Sequence, residues 1–296
     1  MVDSHAEKAI RTIVITGGSD GMGRALALER ASRGDHVVAV GSTRARGDRL
    51  LAEAAGAGLG GRVEFVAADL STVAGNRAVI DHVGARHAAG IDALVLGANR
   101  PFPERTETAD GFESTFALYY LSRYLLGHGL VPALARRPGS VIVNVAGVGM
   151  TGGGIHWDDL QLRRRYGTVA AQLQAGRAND LLGVAMAERY GERVPYVLFH
   201  PGFTRSGRAA AERLRPAARF AIRALALVAA QPVARAIAPI HGFIESPPGV
   251  PLTAASRGRS LPLGLKTLDP VAARQLDAVT ARLVAGRAEA RPPGEA

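Results

Sequence analysis

A chain of 296 residues with 47% hydrophobic residues is long enough to bury one large α/β core. It has no cysteine, which excludes disulfides and thiolate chemistry. The formal net charge of +10 is carried almost wholly by scattered arginines, Lys8 and Lys266 being the only lysines, which argues for a solvated surface rather than a nucleic-acid face. A basic face that attracts an anionic small molecule is compatible with the same pattern. No apolar run is long enough to span a bilayer. The opening Met1-Val2-Asp3-Ser4-His5 lacks the basic and apolar regions of a signal peptide, so the expectation is a cytoplasmic protein without membrane contact.

In chain order, the apolar run Ile13-Val14-Ile15 leads into Thr16-Gly17-Gly18-Ser19-Asp20-Gly21-Met22-Gly23 and then an alanine-rich helix over Arg24–Arg30. Strand, glycine turn and helix N-terminus in that order make a pyrophosphate site, because the glycines allow close approach and the helix end offers free N–H groups. Further short apolar runs recur at His36–Val40, Val63–Ala67, Ala93–Leu96, Val141–Val145 and Tyr196–Phe199, with helical spacing between them. Strands alternating with helices predict a single α/β domain, a Rossmann-like doubly wound parallel sheet. The loops after Ile15, Val40, Leu96, Val145 and Phe199 are then expected to face one site.

Beyond Ser206 the pattern predicts a helix over Pro216–Ala230, another from Gln231-Pro232 to about His241, and a break at Pro247-Pro248-Gly249. Asp269-Pro270 supplies an N-cap and N1 pair for a last helix ending near Gly286. The domain is thus divided into a dinucleotide-binding core (1–206), a helical lid and substrate-pocket region of the same domain (207–290) and a disordered tail (291–296).

The spacing Thr-Gly-x-x-x-Gly-x-Gly resembles the short-chain dehydrogenase/reductase family. The likeness continues through Phe65–Leu70, Asp92–Asn99, Gly111-Phe112-Glu113 with Phe116, Ser140–Val145 and His200-Pro201-Gly202, while Ile155–Leu160 resembles an insert of the retinol-dehydrogenase-like branch. The resemblance implies a nicotinamide dinucleotide with its pyrophosphate over Gly17, Ser19, Asp20, Gly21, Met22 and Gly23 and its adenine near Asp69 and Leu70. It places the nicotinamide near Gly97, Ala98, Asn99, Pro201, Gly202 and Phe203, with Ser206 as a hydroxyl contact. After the second strand an NAD enzyme would carry an acid for the ribose hydroxyl. Here Gly41-Ser42-Thr43-Arg44 stands instead, so Ser42, Thr43 and Arg44 favour the 2′-phosphate of NADPH over NADH. Asp20, where many NADP-using relatives carry a basic residue, argues the other way.

Family members commonly use Asn, Ser, Tyr and Lys for the chemistry. Alignment on the motifs above puts Tyr119, Gly147, Gln172 and Gly176 at those four positions, so no catalytic residue is assigned. Substrate-pocket candidates are Tyr119, Tyr120, Gly147, Met150, Trp157, Tyr166, Gln172 and Phe203. The three tyrosines are read first as packing or pocket wall. No Ser-His-Asp set and no metal-ligand cluster is legible. The combination resembles the tetrad-less ketoreductases of angucyclinone biosynthesis, of the simocyclinone type. It implies reduction of a ketone on an aromatic polyketide, the proton coming from a neighbouring phenol of the substrate. Two alternatives stay open: a non-redox cyclase, dehydratase or pericyclase on the same fold, and a nucleotide-sensing regulatory protein.

Overall fold

The computed structural model describes residues 10–202 and 232–289. The helix expected over Pro216–Ala230, the residues Phe203 and Ser206, and the tail 291–296 lie outside the described residues. All six expected strands form, each within one residue of its expected ends: β1 Thr12–Thr16, β2 His36–Gly41, β3 Val63–Ala67, β4 Ala93–Leu96, β5 Val141–Val145 and β6 Tyr196–His200. The helices between them are α1 Gly21–Ser32, α2 Arg44–Gly56, α3 Val73–Arg86, α4 Ser122–Leu134 and α5 Thr168–Tyr190. Sheet order runs β3-β2-β1-β4-β5-β6, all parallel, so the winding reverses between β1 and β4. That reversal opens a crevice beyond the carboxyl ends of β1 and β4, the usual ligand position in such sheets.

Alternation along the strands builds two cores. Ile13 and Ile15 of β1 face Leu26 of α1 and Leu50 of α2, while Val14 faces the opposite layer, which holds Val79 of α3 and Leu126 of α4. Covered on both sides, the central strands can be apolar at nearly every position, and this made them legible as short runs.

The tail differs from the helical extension expected. Leu252–Ser256 forms β7, parallel to β6, and Arg259–Ser260 returns antiparallel as β8. The sequence Leu-Thr-Ala-Ala-Ser carries little strand preference of its own; pairing with the buried β6 decides its conformation. Val233–Glu245 forms α6, ending four residues beyond the expected His241, and is pinned to α1 by Arg30, which donates to Asp35 at 2.7 Å and Glu245 at 2.8 Å. Pro270–Glu289 forms α7, whose start is capped by the Asp269 carboxylate accepting from the Val271 N–H at 2.7 Å. The α7 helix packs on α5 on the layer away from α1. The described part of the tail is therefore sheet edge and outer helix layer, and only Ile240 of it reaches the crevice. Among the described residues, no helix is long and apolar enough to cross a membrane.

Candidate functional site

The crevice is a cleft of about 580 Å³ over the ends of β1, β4 and β5, within the range of small-molecule sites. Its floor is the glycine loop. Thr16 accepts from the N–H groups of Gly97 at 2.9 Å and Ala98 at 3.2 Å, locking the β1 and β4 turns together. Gly17 has φ +71°, and a Cβ there would stand 3.1 Å from the Ala98 backbone. At Gly23 a Cβ would fall 2.2 Å from the Gly17 carbonyl, so the helix can start this close to the loop only without a side chain. Asp20 caps α1 by accepting from the Gly21 N–H at 2.7 Å. The first-turn N–H groups of Met22 and Gly23, unpaired as a helix start leaves them, border the cleft. A Cβ-free floor and free helix donors fit a pyrophosphate.

Asp69, Leu70, Ser42 and Thr43 line the end of the cleft beside β2 and β3. Arg44 does not. It opens α2, and the arginine in the cleft wall is Arg46, whose guanidinium lies 3.1 Å from the Asp20 carboxylate. Arg46 was missed because the reading stopped at the loop; helix periodicity from Arg44 turns the third residue back towards the cleft. The opposing signals of Asp20 and a basic residue are thus one ion pair. Gly97, Ala98 and Asn99 line the other end with Arg100, Pro101 and Pro103, while Pro201 and Gly202 stand outside the wall.

None of the described substrate candidates lines this cleft. Part of the wall is built instead by the loop after β4. The hydroxyls of Tyr166 and Thr168 donate to the Phe102 carbonyl at 2.7 and 3.1 Å, folding residues 100–103 over the start of α5 as the cleft wall. Tyr166 is therefore a staple, with its hydroxyl pushed up by burial. Tyr120 points away altogether: its fully buried hydroxyl meets Thr280 of α7 at 2.7 Å, and burial raises its pKa. Met150 and Trp157 are exposed on the insert beside the cleft.

At the four positions where the family carries its acid–base residues, the geometry is as follows. Gln172 stands behind Asn99, joined to it by an amide–amide bond of 3.0 Å and to the Arg100 carbonyl at 3.3 Å. A Cβ at Gly176 would meet nothing within 4 Å, and one at Gly147 would meet only Met150 at 3.5 Å. Tyr119 is buried in a π-helical turn, Phe116–Leu121, that precedes α4, and burial raises its pKa. Among the described residues, no tyrosine, lysine, histidine or cysteine lines the cleft.

Sequence reading also missed Arg123. It is buried, sits over the Tyr119 ring at 4.6 Å, and donates to the carbonyls of Val145 at 2.8 Å and Ala98 at 3.2 Å and to the Asn144 side chain. It thereby ties together the β4 and β5 turns that frame the cleft. The available signal was one arginine within the apolar run Tyr119–Leu130, a place where charge is buried only with partners. Away from the cleft the fold also gathers His36, Glu64 and His87, a grouping that no spacing in the sequence reveals.

Residues 11–158 match the family described as short chain dehydrogenase. Retinol dehydrogenase 13 of Mus musculus is 29% identical over 198 residues, 66% of this chain, and the match spans only 59% of that protein. A protein of Streptomyces sp. (strain C5) assigned as a daunorubicin C-13 ketoreductase is 32% identical over 66% of this chain and 67% of its own length. Among solved structures, an uncharacterized protein from Mycobacterium Paratuberculosis is similar with a TM-score of 0.68, 26% identity and 93% coverage of both chains.

Proposed function

The chain belongs to the short-chain dehydrogenase family, and from that premise we propose that it is an NADPH-dependent ketoreductase whose aromatic polyketide substrate donates its own proton. One observation carries the reading: a cleft fitted for a dinucleotide has no proton-donating tyrosine or lysine in its described wall. The dinucleotide, when bound, supplies the hydride. The protein's part is then to bind and orient. The Gly17–Gly23 floor and the α1 N-terminus hold the pyrophosphate, and Asp69 and Leu70 border the adenine. Gln172, an amide in the place of the family tyrosine, has no proton to release; it fixes Asn99 and the Arg100 carbonyl. Gly147 and Gly176, in the places of the family serine and lysine, offer no side chain to protonate a substrate. The Streptomyces ketoreductase, by its assigned substrate, supports the polyketide class.

A carbonyl already accepting a hydrogen bond from a neighbouring phenol needs no acid from the protein. The phenol ionises near pKa ~10, far below an alcohol, so its proton passes downhill to the alkoxide oxygen as the C–H bond forms. Water restores the phenol afterwards. The test is NADPH absorbance with a panel of hydroxyquinone ketones and their O-methyl ethers. We expect reduction of the free phenols and a loss of about a hundredfold or more on methylation, the usual weight of a general acid. Equal rates for ether and phenol, with binding of both demonstrated, overturn internal proton donation. Isomerised product without NADPH consumption replaces the reductase with a non-redox enzyme, and binding without conversion replaces it with a nucleotide sensor.

The 2′-phosphate preference rests on Arg46 with Ser42 and Thr43. Arg46→Ala is expected to weaken NADPH by about tenfold or more while leaving NADH within about twofold, since a charge-assisted bond contributes roughly 1.5–3 kcal/mol. Arg44→Ala is the control and leaves both affinities unchanged. Titration by fluorescence decides between them, and an effect at Arg44 instead of Arg46 reverses the assignment.

A further inference from the structure

At the end of the sheet opposite the cleft, three imidazoles converge on one carboxylate. His36 opens β2, Glu64 is the second residue of β3, His82 lies in the last turns of α3, and His87 follows that helix. The Nε2 atoms of His87, His82 and His36 lie 2.7, 3.4 and 3.8 Å from the same Glu64 Oε1. The ligand atoms of His36, Glu64 and His87 are all within 4.8 Å of one another. In a tetrahedral zinc site, with bonds of about 2.0–2.1 Å, neighbouring ligand atoms stand roughly 3.3 Å apart. The observed separations fall on both sides of that value. Rotations about the side-chain torsions suffice to close the shell.

We propose that His36, His87 and Glu64 form a Zn²⁺ site, with His82 in reach of the fourth position. The donor set favours zinc over magnesium or calcium, because neutral imidazoles are borderline ligands and the hard cations take oxygen. The side chains are half-buried, from 12% exposed at His87 to 29% at His36 and His82, so the site is shielded yet can be entered from solvent. Arg86 is the one cation near the cluster among the described contacts of Glu64; its Nε is 4.0 Å away and its side chain 66% exposed, free to swing out. Metal binding breaks the His87–Glu64 hydrogen bond, and the Nε2 proton moves to Nδ1 or leaves to buffer.

The site's place defines its role. β2 runs from His36 to Gly41 before reaching the cleft, a rise of roughly 16 Å, so the metal cannot touch substrate there. It instead clamps the end of α3 to β2 and to the edge strand β3. The proposal does not rest on the ketoreductase reading and can fail without it.

The experiment is titration of the tag-free, metal-stripped full chain with Co²⁺ and then Zn²⁺. One equivalent of Co²⁺ is expected to give the intense visible bands of a tetrahedral site, bleached by one equivalent of Zn²⁺. Zn²⁺ is also expected to raise Tm by several degrees. Glu64→Gln and His87→Ala should lose the bands, and His128→Ala, at a histidine outside the cluster, should keep them. Glu64→Gln preserves shape, and a cooperative melt of each metal-free variant shows that it folds. Absence of the bands in the parent protein, or their persistence in both cluster variants, overturns the site.

Discussion

Arg123→Ala is expected to lower the free energy of unfolding by about 3 kcal/mol, and to weaken dinucleotide binding with it. The guanidinium reaches the Val145 carbonyl and the Asn144 side chain inside the core and the half-buried Ala98 carbonyl at the cleft wall. Removing it leaves buried acceptors without donors, each costing roughly 1–3 kcal/mol, and also deletes the contact with the Tyr119 ring. Asn144 would retain its bonds from its amide to Asn179 at 3.0 Å and Tyr196 at 2.9 Å, so the damage is concentrated on the turns. Those turns carry Gly97 to Asn99 and Ala146 to Gly147. Arg123→Lys should recover less than half of the loss, because one ammonium cannot serve three divergent acceptors. Urea unfolding of the three proteins measures this. An unfolding free energy for Arg123→Ala within about 0.5 kcal/mol of the parent would mean that water replaces the guanidinium and that the arginine frames nothing.

The sheet was legible because its central strands are apolar runs bounded by helices, and burial on both faces removes any need for polar alternation there. β7 was not legible, since Leu252–Ser256 gains its conformation from β6 rather than from its own side chains. The glycine loop was legible because its close approaches are backbone features, tied to sequence spacing. Arg46 and Arg123 were not, because each acts through a partner distant in the chain: Arg46 through Asp20, and Arg123 through the ends of β4 and β5. The same holds for His36, Glu64 and His87, which come from three elements. None of the described substrate candidates lines the cleft, and the loop at residues 100–103, held by Tyr166 and Thr168, forms part of its wall. That contact depends on a carbonyl, which no side-chain pattern reveals.

Asp180→Asn is expected to stabilise the protein above neutral pH, with a gain that fades as the solution is acidified. Asp180 sits on α5 four residues beyond Gly176, is 1% exposed, and its Oδ1 has no hydrogen-bond partner among the described residues. Burial pushes its pKa up from 3.8 to about 7, with Arg177 and Thr267 acting the other way. The folded chain therefore holds this proton at pH values where the unfolded chain has released it. Stability linked to Asp180 is complete below about pH 3.8 and declines as pH rises through about 7. Roughly three pH units at about 1.4 kcal/mol each set a ceiling of about 4 kcal/mol, reached only above the folded-state value. Asparagine matches the shape of the protonated acid and avoids this ionisation cost. The difference in unfolding free energy between Asp180→Asn and the parent should thus be largest near about pH 8 and approach zero near about pH 4. Taking the difference cancels the carboxylates common to both chains, such as Glu64, whose depressed pKa has the opposite pH dependence. Urea titrations across that range supply the curve. A difference that stays flat with pH would show that Asp180 ionises at its ordinary value, through water or through the guanidinium of Arg177.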